Sequence, residues 1–281
     1  HKELASVSII PLPGKAALKK YTDQVKKYNF AYRMVLTNLP PRKNIAAVPV
    51  PERIGEPSVF KHVFYIIKEN KTYDQVYGDV AEGRGDKRLC IFGDSVTPNQ
   101  HKLVKEYALY DNYYVSGKSS AEGHQWADAA MISDYVQKNV AAWFRSYPHR
   151  QEDALVYNKS GFIWNNALDH GKTVRVYGEA CKTIYDSKLK WIDIYNKYIN
   201  HNSLSLSNVT TIARLRPIIS PTYPDCANET ITDQIRAEEF LKEFKQFEQM
   251  PGDSLPNLLI LSLPCDHTAG TSHKYQRPAA M

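Results

Sequence analysis

The sequence has no apolar run near the roughly 18 to 20 residues a membrane-crossing helix needs; the longest, residues 258–264, is the length of one strand, so no membrane span is expected. It has four cysteines, Cys90, Cys181, Cys226 and Cys265, none in CxxC spacing. That is too few for a disulfide scaffold, although one or two bridges stay open. There is no internal repeat and no low-complexity segment, which excludes solenoid, collagen-like and disordered chains. Charge of one sign is also scarce: 36 Lys and Arg against 30 Asp and Glu leave +6, spread along the length. Anionic ligands are weakly favoured and a nucleic-acid surface is not expected. GxGxxG, GxxxxGK[ST], GxSxG and HExxH are all missing, and with them the chemistries those motifs carry. The first residue is His1, with neither Met nor a charged-then-apolar leader, and the N-terminus reads as mature or cut with any export signal already gone.

What is present is a chain of 281 residues, 43% apolar, able to bury a full core. Residues 16–28 form a helix with lysines on its outer face. Prolines at 40, 41, 49, 51 and 57 make the next segment an extended arm. Residues 1–57 are therefore expected to be a helix and arm packed on a domain formed by residues 58–281. Within that domain HVFYIIK (62–68) reads as a strand buried on both faces of a parallel sheet. Helices follow at 98–106, 121–137, 161–170 and 232–247, with strands at 108–114, 173–177 and 258–263. Tyr107, Tyr110, Tyr113 and Tyr114 are expected to be packed with their hydroxyls at an edge. Strands alternating with helices specify an α/β fold with a mostly parallel central sheet flanked by helices.

Four clusters carry chemistry. Glu69 and Asn70 follow directly on a buried strand, at the end where open α/β sheets bind ligands; they would hold a hard cation and an oxyanion, or cap the next turn. In GKSSAEGH (117–124) a strand exit turns through Gly117 into a helix whose first turn carries Ser120. Ser120 is an N-cap or a nucleophile in a phosphate cradle, with Lys118, Ser119 and His124 gathered around the same turn. Asp266 and His267 follow the strand LLILSL; they suit zinc if the chain turns there, or else form an Asp-led turn with a surface His. His101, alone on a helix, is structural or solvated unless drawn into the same site.

At these residues the chain resembles a known family. IIKENKTYDQVYGD (66–79), VTPNQHKL (96–103), LYDNYYVSGKSSAEGHQW (109–126) and LPCDHTAGTS (263–272) are similar to the phosphoesterase family of the alkaline phosphatase superfamily, the branch of bacterial acid phosphatases and non-specific phospholipases C. The likeness is greatest to the phosphatase-like domain that follows a β-propeller in bacterial secreted polypeptides. It implies an alkaline-phosphatase-like fold and a serine nucleophile, Ser120, that becomes phosphorylated. It assigns metal coordination to Glu69, Asn70, Asp266 and His267, and phosphate contacts to Asn70, Lys118, His124 and His101. Further metal ligands of the family lie beyond the DHTxG motif, so the resemblance also implies C-terminal truncation.

The expectation is thus metal-dependent hydrolysis of phosphate mono- or diesters, with divalent ions, zinc first and manganese or calcium next, as cofactors. A phosphorylated small molecule or lipid is the expected substrate, a β-propeller domain a partner in the parent polypeptide, and the periplasm or exterior the location. Two other readings stand beside it: a truncated or degenerate phosphate-binding module without turnover, and a phospholipase C or phospho-headgroup transferase.

Overall fold

The computed structural model describes residues 7–115, 117, 119–139 and 153–268. The chain divides into two compact units, His1–Lys61 and His62–Met281. The first holds helices α1 (Lys15–Tyr28) and α2 (Ala31–Thr37). Lys26 and Lys27 lie in the last turn of α1, where positive charge complements the helix dipole. Its arm is pinned by Arg42, whose Nε and Nη2 donate to the Glu56 carboxylate at 2.7 and 2.9 Å. Ser58 and Val59 still belong to the arm: Val48 bridges Ser58, and the Val59 amide donates to the Val48 carbonyl at 3.3 Å. The boundary therefore falls a few residues past the last arm proline.

The second unit runs β1 (Val63–Lys68), α3 (Tyr73–Tyr77), α4 (Pro98–Glu106), α5 (Ser120–Ala129), α6 (Asp134–Asn139), α7 (Ile163–Asp169), β2 (Val174–Tyr177), β3 (Lys182–Ile184), α8 (Trp191–Ile199), β4 (Ser207–Val209), α9 (Asp233–Gln249) and β5 (Leu258–Leu263). Three strands form a parallel sheet in the order β1-β5-β2. Lys68 stands opposite Leu263, and Tyr177 opposite Leu261. Strands β3 and β4 make a separate antiparallel pair. This is an α/β fold with a parallel sheet flanked by helices.

Alternation along β5 builds two cores. Leu258 and Ile260 pack with Val174, Val176, Phe162 and Trp164 on one face. Leu259 and Leu261 pack with Tyr177, Tyr223 and Phe240 of α9 on the other. The central strand is buried because it has a sheet neighbour on each side and helices above and below; each such Leu or Ile contributes about 1.5–3 kcal/mol.

Three expectations are corrected here. β1, expected to be buried on both faces, is an edge strand, and Val63, Phe64 and Ile66 are exposed; the uninterrupted apolar run of the central strand belongs to β5. Residues 108–114 form no strand, and Tyr107, Tyr110, Tyr113 and Tyr114 are exposed instead of packed, since among the described residues no strand pairs with them. The helix expected over 121–137 is two helices. α5 stops at Ala130, which takes a left-handed conformation (φ 54°), and a fresh start at α6 is helped by Ser133 Oγ, which accepts from the Val136 amide at 3.2 Å. Among the described residues no helix is long and apolar enough to cross a membrane.

Candidate functional site

The three parallel strands end at one edge, and each sends a polar residue out of it. The Glu69 amide donates to the Leu263 carbonyl at 3.1 Å, so β1 stays paired one residue past its end, and Glu69 and Asp266 emerge from neighbouring strands. The turn after β1 is closed by Gln75, whose Oε1 accepts from the Thr72 amide at 3.0 Å. Glu69 and Asn70 are therefore not its cap. From β2 the chain passes through Gly178 (φ +90°), where a Cβ would meet the Pro224 carbonyl oxygen at 2.9 Å; only glycine makes this bend, which sends Glu179 inward.

Helix α5 meets this edge at its N-terminus. Ser119 is the cap: its Oγ accepts from the Ala121 amide at 3.3 Å, and its carbonyl accepts from the Glu122 and Gly123 amides at 3.0 Å each. Those amides are therefore engaged, and Ser120 keeps its hydroxyl for another partner. Gly117 supports the close entry, since a Cβ there would stand 2.4 Å from that of Glu122. Ser120, His124 and Asp128 are spaced by four residues and share one face of α5. They descend from the partly buried Ser120 through the buried His124 to a fully buried Asp128.

Electrostatics couples this stripe to the strand ends. His124 Nδ1 lies 3.1 Å from Glu179 Oε2, and Nε2 lies 3.5 Å from Glu69 Oε2. Burial pulls the imidazole down, but the Glu179 and Glu69 carboxylates overcome it and raise it well above its ordinary value. Burial pushes Glu69 up, yet His124 and the Ser120 hydroxyl hold it below the usual carboxylate range. Glu179 is likewise held down against burial by His124. Asp128, buried and facing the Glu179 charge, is driven well up. Among the described residues neither of its oxygens has a hydrogen-bond partner. The stripe thus sets an imidazole between two carboxylates, with a third buried carboxyl behind them.

At the β5 exit Asp266 Oδ2 accepts from Lys68 Nζ at 2.6 Å, while Oδ1 is buried and has no partner among the described residues. His267 Nδ1 is 3.6 Å from Glu229 Oε1. Lys71 Nζ donates to the carbonyl oxygens of Asn70 and His267 at 3.0 and 3.2 Å, tying the β1 exit to the β5 exit.

The structure therefore brings together Ser120, Glu69 and His124, and joins Asn70 and His267 through Lys71. His101 is buried, with Nδ1 beside Thr97 and Nε2 at 2.9 Å from Asp79 Oδ1, so both ring nitrogens are engaged. His124 is enclosed between the Glu179 and Glu69 carboxylates. Lys118 lies outside the described residues. Glu69, Asp266 and His267 share the edge without converging as ligands. Among the described residues, the one group of three His, Cys, Asp or Glu ligand atoms within 4.8 Å of one another is His124, Glu179 and Cys226, all buried, which could hold a metal ion.

Sequence reasoning missed Asp128, Glu179, Cys226 and the buried Arg236. The spacing Ser120-His124-Asp128 was a usable signal for the first. Glu179 follows strand β2 through a glycine, as Glu69 follows β1, and the same strand-exit rule would have found it. Compared with known proteins, the chain matches no family model, no curated protein and no solved structure.

Proposed function

We propose that this chain is a phosphoester-hydrolysing domain, an incomplete alkaline-phosphatase-like unit, with Ser120 as its nucleophile. One observation carries the reading: Ser119 does the capping, which leaves the Ser120 hydroxyl at the head of α5, one turn from the His124 that faces the Glu69 carboxylate at the end of β1. A serine at a sheet's carboxyl edge, at a helix N-terminus and beside a carboxylate suits attack on phosphorus. Among the described residues β1 has a sheet partner on one side only, with Val63, Phe64 and Ile66 exposed, which accords with a sheet that continues beyond these strands.

The family resemblance implies divalent ions. Glu69, Asn70 and Asp266 are hard oxygen donors, and the orphaned buried Oδ1 of Asp266 fits such a group. Glu69 with Asn70 would hold one such ion and Asp266 another, and ions there would lower the pKa of the serine hydroxyl and offset charge on the phosphoryl oxygens. The chain's own residues do the rest. Ser120 Oγ attacks phosphorus as its proton passes to Glu69, and the bond to the leaving oxygen breaks. The leaving oxygen takes that proton from Glu69, and water then attacks the phosphoserine, releasing phosphate and restoring the Ser120 hydroxyl. Lys71, tied to both strand exits, supplies positive charge at the rim. His124 keeps Glu69 ionised and oriented.

The test is hydrolysis of 4-nitrophenyl phosphate and its bis-ester by the whole chain, with zinc or manganese added. Turnover that disappears in Ser120→Ala and survives in Ser119→Ala supports the reading; equal activity in Ser120→Ala overturns it. One observation favours a second reading, a phosphate-binding module without turnover: Lys68 already neutralises Asp266 at 2.6 Å. Saturable phosphate binding by a chain inert toward both esters would select it.

A further inference from the structure

Below the rim, helix α5, the β2 exit and the loop before α9 converge on one buried point. They contribute His124, Glu179 and Cys226, whose ligand atoms lie within 4.8 Å of one another. We propose that these three side chains bind a zinc-type ion in a closed structural site that stitches α5 to the sheet. This does not rest on the hydrolase reading, which uses Ser120 and Glu69 above it.

The donor set is the first argument. Imidazole nitrogen, thiolate sulfur and carboxylate oxygen are zinc's common ligands, and a hard cation such as calcium or magnesium would not draw on sulfur and nitrogen. Spacing is the second. Nitrogen and oxygen ligands about 2.0–2.1 Å from zinc at tetrahedral angles stand roughly 3.3 Å apart, and His124 Nδ1 lies 3.1 Å from Glu179 Oε2.

The third argument is unsatisfied chemistry aimed into the point. Glu179 is 1% exposed, and its Oε1 has no hydrogen-bond partner among the described residues. Asp128, fully buried beside it, has none for either oxygen. Buried polar atoms without partners are scarce in folded chains, and here several surround the same spot. An ion bound there gives the buried Glu179 carboxylate a partner.

The outer environment also has the form of a metal site. Metal-bound histidines usually donate their second ring N–H to a carboxylate, which fixes the ring; His124 Nε2 faces Glu69 Oε2 at 3.5 Å. Cys226 sits in a loop held by the buried Arg236, which donates to the carbonyls of Pro224, Asp225 and Asn228 at 3.2, 2.7 and 2.8 Å. Burial on every side leaves no open coordination position for substrate, so the ion is structural rather than catalytic. Binding releases the Cys226 thiol proton and one imidazole proton to water, and thiolate and carboxylate together balance the dication.

The experiment uses the full chain, refolded with zinc, dialysed against metal-free buffer and assayed for bound metal, then refolded with cobalt and read by absorption. One tightly held ion per chain, a higher Tm than the metal-free protein and a thiolate-to-cobalt charge-transfer band are expected. Cys226→Ser should lose the band, whereas Cys90→Ser, Cys181→Ser and Cys265→Ser should each keep it, so the assignment survives even if the Cys226 variant does not fold. Glu69→Gln should weaken binding about 10–100-fold. Absence of the band in the parent chain, its persistence in Cys226→Ser, or its loss in one of the other three cysteine variants overturns the proposal. Cobalt held only at the rim by Glu69, Asn70 and Asp266 would give no thiolate band, so this proposal and the hydrolase reading fail separately.

Discussion

Arg236 Nη1 lies 3.2 Å from the sulfur of Cys265, the residue before Asp266, and the same nitrogen donates to the Ile231 carbonyl at 2.6 Å and to Asp233 Oδ1 at 3.0 Å. With its remaining donors on the Pro224, Asp225 and Asn228 carbonyls, one buried cation fixes the β5 exit against the loop that carries Cys226. Removing it leaves a ring of buried acceptors without donors. Arg236→Met is therefore expected to cost about 3–5 kcal/mol in urea unfolding, with Arg236→Lys recovering only part because an ammonium cannot reach so many acceptors. A loss under about 1 kcal/mol would mean that the loop holds its own shape.

Ser119 and Ser120 are adjacent and chemically identical, yet they have different jobs. Ser119→Ala removes the N-cap of α5 and should lower stability by about 1 kcal/mol. Ser120→Ala removes a partly exposed hydroxyl that caps nothing and should change stability by less than about 0.5 kcal/mol. Chemical denaturation of the two variants reads this directly. If Ser120→Ala is the costlier change, the capping roles are reversed and the Ser120 hydroxyl is not available to Glu69.

Much of this architecture could be read from residue order. LLILSL announced a buried strand, and the carboxyl-end rule then put Glu69 and Asp266 at one edge, because polar residues directly after a parallel strand have nowhere else to emerge. Two kinds of fact were not legible. Whether an apolar strand is central or marginal depends on neighbours supplied from elsewhere in the chain, so VFYIIK read as interior although β1 lies at the edge. The buried partners of His124 come from residues 55 positions later and beyond, and a single Glu after Gly178 carries no local mark of its depth. His101 shows the converse: Thr97 and Asp79 satisfy it within its own helix and the preceding loop, a pairing that spacing could not distinguish from a ligand's.

Lys68 is the only partner among the described residues shown for the Asp266 carboxylate, at 2.6 Å, and Asp266 is 4% exposed. Lys68→Met would leave that carboxylate uncompensated. Because the lysine side chain is one-third exposed (33%), the expected loss is about 1–3 kcal/mol, below that for a fully buried pair. If Asp266 belongs to a cation site, manganese should raise the Tm of the variant more than that of the parent, since the competing ammonium is gone. Equal shifts in the two proteins would remove Asp266 from any cation site.

The buried stripe makes stability depend on pH in two opposing ways. His124 is raised above its ordinary 6.5; its contribution is complete below that value and is lost as pH rises through the folded-state value. Glu179 and Glu69 are held below their ordinary 4.5; theirs is present above that value and is lost as pH falls through the folded-state values. Asp128 works against the fold. Its ordinary value is 3.8 and burial drives it well up, so the folded chain binds this proton more tightly than the unfolded chain. That costs about 1.4 kcal/mol for each pH unit between the two values. Asp128→Asn never ionises, so it should stabilise the metal-free protein at pH 7. The gain should shrink as pH approaches 4 and be absent at pH 3. Denaturant unfolding of both proteins across pH 3 to 8 measures the difference. A gain independent of pH would show that Asp128 is ionised in the folded state, and a loss at every pH would show that its carboxyl is needed for packing rather than tolerated as a neutral acid.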